Sequence, residues 1–260
     1  MWTLYKILSP DRLEVLNNLK VRFTQPSCLN DLCDSLPSEE WDENPSDSWI
    51  DRAESDSTLS IEAKRAAARE FYRKSYRVGK SDFDSLGVLS LTEKPESLVI
   101  WAHYGRNHTG FAIGFDPGHA FLSKQDEDNQ ILPPLKRVVY TKERPCLPVF
   151  DSGESHTRWD YLFHKNAEWT YEGEWRMIKW LTVGKDVIIL PATGELVHLI
   201  PFPIEAVVEI IVGAHADLRL VKALFHLRQK HGATFEIKQA ILSPTTFALD
   251  FHTLDRNRLA

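Results

Sequence analysis

Apolar positions along the chain alternate between a two-residue and a three-to-four-residue rhythm, and the switches between them predict the elements. Trp2–Ile7 is a short β-rich run. Ser9-Pro10-Asp11 then opens a helix, with Pro in or near its first turn and Leu13 and Leu16 facing inward. Lys20–Thr24, with Phe23, resumes an extended pattern. No glycine-rich loop follows this strand–helix–strand opening, which excludes a Rossmann or P-loop site here. From Gly87 onward the chain is β-rich, with strands predicted at Val88–Thr92, Leu98–Tyr104, Gly110–Phe115 and Arg137–Thr141. Thr157–Lys165 reads as helical, and Glu174–Leu181 with Val187–Leu190 as a strand pair. The tail is the clearest unit. Ala206–Gly213 is a buried strand, and Ala216–His231 is an amphipathic helix with Leu218, Val221, Leu224 and Phe225 inward, stopping at Gly232. Thr234–Leu242 is the strand that follows.

Residues 34–58 break both rhythms. Nine carboxylates against one Arg, with Ser and Pro throughout, read as a long exposed loop, which Trp41, Trp49 and Ile50 would dock locally. Ser60 then caps a helix predicted to run to about Val78, with Glu62 in its first turn and seven basic residues between Lys64 and Lys80. Its cations either pair with the preceding acidic loop or form a partner surface on helix 60–80. Without internal repeats or a linker, the chain reads as one α+β domain over 1–260. Its β core is mixed and mainly antiparallel, with flanking helices and a helical and acidic insertion at about 34–80.

Composition narrows the function classes. The apolar fraction of 43% and charged fraction of 26% suit a folded core. A formal net charge of −6 argues against general nucleic-acid binding. The apolar runs are too short to span a bilayer, and the N-terminus has no signal-peptide pattern, so a cytoplasmic, non-membrane protein is expected. Cys28, Cys33 and Cys146 lack metal or redox spacing, which fits thiols in a reducing compartment.

Two segments concentrate chemistry. WAHYGRNHTGFAIGFD, Trp101–Asp116, sets His103, Tyr104 and His108 around a turn feeding an apolar strand. KNAEWTYEGEWRMIKW, Lys165–Trp180, carries Glu172 and Glu174 among aromatics. On a strand these two glutamates would share a face, raising the pKa of one and dividing charge stabilisation from proton transfer. Arg176, two residues on, would keep Glu174 ionised. No His pair with metal-ligand spacing occurs, so no metal is expected. No nucleophile elbow is present.

Together these segments resemble the prokaryotic family known as domain of unknown function 2971. The resemblance runs through LYK (Leu4–Lys6), Phe23, LNDLCD (Leu29–Asp34), LSLTE (Leu89–Glu93), Trp101–Asp116, Val139-Tyr140, Lys165–Arg176 and VGA (Val212–Ala214). Leu32 and Cys33 depart from its usual Pro and aromatic, so the local turn is expected to differ. The resemblance implies a bacterial or phage-linked cytosolic protein of the kind found among defence and mobile-element genes.

The order of polar residues is also similar to that of ADP-ribosyltransferases, which implies NAD as the bound nucleotide. On that likeness Glu174 would stabilise the ribose cation, Glu172 would activate the acceptor, and His103 would contact ribose or phosphate beside Tyr104. Tyr5, Lys6, Ser90, Trp101, His108 and Arg176 would bind the nucleotide, and the acceptor would be a protein or nucleic acid. The reading from a different class is a non-catalytic binding or regulatory module that uses helix 60–80, with both motifs serving only as a buried network. A nuclease built on His103 and Glu174 lacks a metal cluster. Oligomeric state is left open.

Overall fold

In the computed structural model, residues 2–35, 38, 58–67, 70, 84–123, 132–145, 157–181, 187–190, 194 and 196–255 are described, and the account below is of these. The first strand is β1 (Leu4–Leu8), followed by a 3-10 turn at Pro10–Arg12, helix α1 (Glu14–Asn18) and strand β2 (Lys20–Phe23). Leu16 is buried as its spacing predicts. Leu19, in the left-handed region at φ 51°, ends α1 and turns the chain into β2.

The main sheet has eight strands. Besides β1 it holds β3 (Leu86–Thr92), β4 (Phe111–Phe115), β5 (Lys136–Arg137), β8 (Glu174–Trp180), β11 (Val207–Val212), β12 (Glu236–Leu242) and β13 (Leu249–Thr253). Their order is β13-β12-β11-β4-β1-β3-β8-β5, antiparallel throughout except for the parallel β11–β12 pair. A second sheet joins β2 to β10 (Leu196–Pro201) and β9 (Val187–Ile189), and a small parallel ladder pairs β6 (Val139–Thr141) with β7 (His164–Asn166). The fold is α+β with a mixed, mainly antiparallel core.

Both faces of the sheet centre are covered, which is why β4 reads FAIGF with every residue buried. On one face, helix α4 (Leu218–Lys230) sets Val221, Leu224 and Phe225 against Leu4, Phe111, Ile113 and Ile210. On the other, helix α2 (Leu98–His103) sets Ile100 and Trp101 against Ile7, Ala112 and Ile211. A third cluster gathers Val88, Ile178, Trp159 and Phe163 at the far end of β3 and β8. Gly110 and Gly213 let backbone meet backbone at the head of β4, because a Cβ would lie 2.0 Å from the Leu8 carbonyl oxygen and 2.2 Å from that of His108. A short helix α3 (Ala120–Ser123) follows β4.

Three readings are corrected. Leu98–His103 is helical, because Ile100 and Trp101 pack one helical side onto the sheet while Val99 faces out, and the Trp101 indole donates back to the Pro95 carbonyl at 2.7 Å. Glu174–Leu181 and Val187–Leu190 both contain strands, but these lie in different sheets and do not pair. Lys165 is in strand β7, after a 3-10 segment at Thr157–Phe163. Helix formation after Ser60 is present over 61–67, with the Ser60 hydroxyl accepting from the Ala63 amide at 3.2 Å. The rest of helix 60–80, apart from residue 70, and most of the acidic run, including Trp41, Trp49 and Ile50, lie outside the described residues. Cys146 lies there too.

One irregularity positions the site. β1 pairs with β4 over five residues, yet meets β3 at the single pair Tyr5↔Thr92. At the other end of β3, Val88 is bridged to Thr24, the residue after β2. β3 is thus held at both ends by different strands, and the interval between them, centred on Ser90, opens into a cavity.

Candidate functional site

The cavity has a volume of about 230 Å³ and is walled by Tyr5, Lys6 and Ile7 of β1 and by Ser90, Leu91 and Thr92 of β3. Arg22, Thr24, Cys28, Asn30, Asp34, Tyr104, Lys165, Glu172 and Glu174 also line it. Residues far apart in sequence meet because the sheet parts here. A gap between strands leaves backbone groups for side chains or ligands to satisfy. The Ser90 carbonyl shows this directly, since it accepts from Lys6 Nζ at 3.1 Å.

The two glutamates do not share a strand face. Glu172 ends a 3-10 segment (Ala167–Glu172), Gly173 turns in the left-handed region at φ 50°, and Glu174 begins β8. Both carboxylates nevertheless reach the same cavity, and Lys165 spans them, donating to Glu172 Oε2 at 2.6 Å and Glu174 Oε2 at 3.1 Å. Below, the fully buried Arg176 grips Glu174 in a two-pronged contact, Nε to Oε1 at 2.8 Å and Nη2 to Oε2 at 3.0 Å. Its remaining donors reach Asp34 Oδ2 at 2.7 Å, the Leu162 carbonyl at 2.6 Å and the Ser35 hydroxyl at 3.2 Å. Asp34, at the edge of the acidic run, is therefore a buried counter-ion rather than part of an exposed loop.

The surroundings separate the two glutamates chemically. Burial pushes the Glu174 carboxyl up, but Arg176 and then Lys165 outweigh it and hold it at about 2. Glu172 goes the other way, raised by burial against the pull of Lys165. Three carboxylates (Asp34, Glu172, Glu174) face two cations (Lys165, Arg176), and Glu172 is the one outside the Arg176 grip. Its Oε1 accepts from the Tyr104 hydroxyl at 2.5 Å, which in turn accepts from Asn30 Nδ2 at 3.0 Å. Burial and the Glu172 charge raise the Tyr104 phenol, so it stays protonated. On β1, burial together with neighbouring Arg22 lowers the Lys6 ammonium to about 8, despite the pull of Glu174.

These shifts carry a pH signature. Glu174 sits below its ordinary 4.5, so it contributes stability that is full above about pH 4.5 and drains as pH falls towards 2. Glu172, shifted upward, has the opposite sign. Urea unfolding should therefore show wild type losing stability on acidification through that window, and Glu174→Gln should flatten the dependence there. An unchanged pH profile in the variant would contradict this assignment.

Of the candidate residues, Glu172, Glu174, Tyr104, Tyr5, Lys6 and Ser90 converge on the cavity, although the Tyr5 hydroxyl is committed to Glu209 at 2.6 Å. Arg176 lies beneath it. Trp101 is wholly enclosed in the core on the α2 face and offers nothing to a ligand. His103 is exposed outside the cavity, its Nδ1 3.2 Å from the Tyr171 hydroxyl and its ring edge-on to Trp169. His108 sits on the turn before β4, in the left-handed region at φ 65°, and faces His215. Residue-by-residue reading gave no role to Lys165, Asp34, Asn30 or Arg22. Lys165 and the Asn30–Asp34 step stood inside the quoted motifs, while Arg22 gave no signal beyond a polar position on a strand.

Residues 100–177, from within α2 to within β8, match the family model described as Protein of unknown function (DUF2971). That segment supplies Tyr104, Lys165, Glu172, Glu174 and Arg176, while β1, Arg22 and the Asn30–Asp34 step lie outside it. Searches of curated proteins and of solved structures each returned no match.

Proposed function

With the cavity as the working site, we propose that this protein transfers the ADP-ribosyl group of NAD to a protein or nucleic-acid acceptor, in a bacterial defence or mobile-element setting. The observation that carries the proposal is the meeting of Tyr5-Lys6, Ser90, Tyr104 and the Glu172–Glu174 pair around one cavity, in the chain order of the transferase likeness. NAD is a substrate in this reading. At about 230 Å³ the cavity falls below the usual range for a whole drug-sized ligand, roughly 300–1,000 Å³, so it would take one end of the dinucleotide.

Breaking the bond to nicotinamide leaves positive charge on the ribose, which a fixed carboxylate stabilises. The geometry favours Glu172 for that role over Glu174, because both Glu174 oxygens are neutralised in the two-pronged Arg176 grip, whereas Glu172 lies outside that grip and meets only Lys165 and the neutral Tyr104 hydroxyl. Glu174 then acts as the counter-charge that positions Lys165, and Tyr104 orients Glu172. His103 would contact only parts of a ligand that extend beyond the cavity.

A binding-module reading draws on one observation, the mutual saturation of Arg176, Glu174 and Asp34 beneath the cavity, a network able to fix a fold without turnover. Calorimetric titration with NAD, with nicotinamide release followed in parallel, separates the two. Saturable binding with release is expected. A folded sample that binds no NAD at millimolar concentration would overturn the transferase proposal and turn attention to partners of helix 60–80.

A further inference from the structure

The cavity holds two lysines of opposite character. Lys165 is surrounded by three carboxylates, at 2.6, 3.1 and 3.6 Å, and stacks over the Trp169 ring. Its ammonium is held protonated, because Glu174, Glu172 and Asp34 outweigh the cost of burial. Lys6 forms a single hydrogen bond, to a carbonyl, and no ion pair among the described residues. An ammonium has three donor positions, so two of its own remain for a ligand. When deprotonated, Lys6 also presents a lone pair to the cavity.

We propose that Lys6 is a carbonyl-capturing amine, forming a reversible imine with a small aldehyde or ketone that carries an anionic group. The cavity volume sets the size of this ligand. Arg22 also lines the cavity, and its positive charge, which acts on Lys6, favours a ligand that carries a carboxylate or phosphate. Glu172, which lines the same cavity and accepts from Tyr104, is the proton donor and acceptor the reaction needs.

The step balances without an added co-reactant. The Lys6 lone pair attacks the carbonyl carbon to form the C–N bond, and the C=O π pair moves to oxygen, which takes a proton from the Glu172 carboxyl. The nitrogen returns a proton to Glu172. A second protonation of the hydroxyl releases water and leaves the protonated imine, and hydration reverses the sequence. The inference needs no cleavage of NAD, so it stands or falls apart from the transferase reading.

Lys6 is faced by Glu174, Glu172, Arg22 and Lys165. Burial is the largest influence on it, and its amine titrates at about 8 against 10.5 for an ordinary lysine. At pH 7.5 that difference gives Lys6 a free-amine fraction roughly two-hundredfold above that of an exposed lysine.

The test uses the full chain, glyoxylate and, separately, ribose 5-phosphate, with sodium cyanoborohydride to reduce any imine to a stable amine. Adducts are mapped by peptide mass spectrometry with fragmentation, so that α-amine labelling is counted separately. The expected result is labelling of Lys6 at least tenfold faster than of any other lysine, with Lys165 unlabelled and a Lys6 midpoint near pH 8. Lys6→Arg should lose the adduct while keeping its thermal midpoint. Adducts spread evenly over surface lysines, or Lys6 labelling that still climbs above pH 10, would overturn the proposal. If Lys6→Arg fails to fold, the wild-type map and pH profile decide alone.

Discussion

Replacing Arg176 with Met is expected to lower stability by about 3–5 kcal/mol, read as a drop in the urea midpoint. Arg176 is 0% exposed, and its guanidinium touches Glu174, Asp34, the Leu162 carbonyl and the Ser35 hydroxyl. Methionine fills much of the same space, so the loss is electrostatic rather than a cavity effect. It leaves two buried carboxylates with only Lys165 beside them, and breaking one partner of a buried pair strands the other's charge. Arg176→Lys tests the geometry separately. Lysine keeps the charge but cannot match a two-pronged carboxylate grip while also reaching Asp34, so it should recover only part of the loss. A Met variant within 1 kcal/mol of wild type would show that the network does not hold the fold.

The second large effect concerns turnover. If the transferase proposal holds, Glu172→Gln should cut nicotinamide release about 10²–10⁴-fold, with a smaller drop in the urea midpoint than Glu174→Gln. Glutamine keeps the shape and can still accept from Tyr104, but it gives up the carboxylate charge and the 2.6 Å ion pair with Lys165 while leaving the Arg176 grip intact. Glu174→Gln should slow release too, but alongside clear destabilisation, because its charge answers Arg176 and Lys165. The separation of the two phenotypes is the diagnostic. Should Glu172→Gln turn over NAD at the wild-type rate, Glu172 would have no part in the chemistry.

Much of the architecture was legible because local pattern and tertiary position agree. FAIGF is buried on both faces, and Val221, Leu224 and Phe225 pack as their helical period requires, whereas Leu218, expected to face inward with them, is exposed at the first turn of α4. The helix at Leu98–His103 was not legible, since Val-Ile-Trp has strand propensity and only packing across the sheet decides otherwise. The glutamate pair was found for a reason that proved wrong. A left-handed Gly173, not strand alternation, brings both side chains to the cavity. Asp34 shows the limit most plainly. Its neighbours in sequence form an acidic run, while the Arg176 that explains its burial is 142 residues away. Trp101, His103 and His108 attracted attention as aromatic and imidazole groups near a turn. Burial removes the first and position removes the others from the cavity.

The parting of β1 from β3 also bears on how the molecule is assembled. The cavity wall takes Lys6 and Asp34 from early in the chain, Ser90 and Tyr104 from its middle, and Lys165 to Glu174 from well beyond. A chain leaving the ribosome holds the first wall long before the second exists. Loop closure over such separations is slow, because entropy is lost before contacts return it. Glu174 has Arg176 two residues away, but Asp34 has no Arg176 to meet until β8 is made and in place, so its charge stays hydrated until then. The catalytic candidates are thus completed by the same late event that dries the interior, and a half-made chain carries no half-made site.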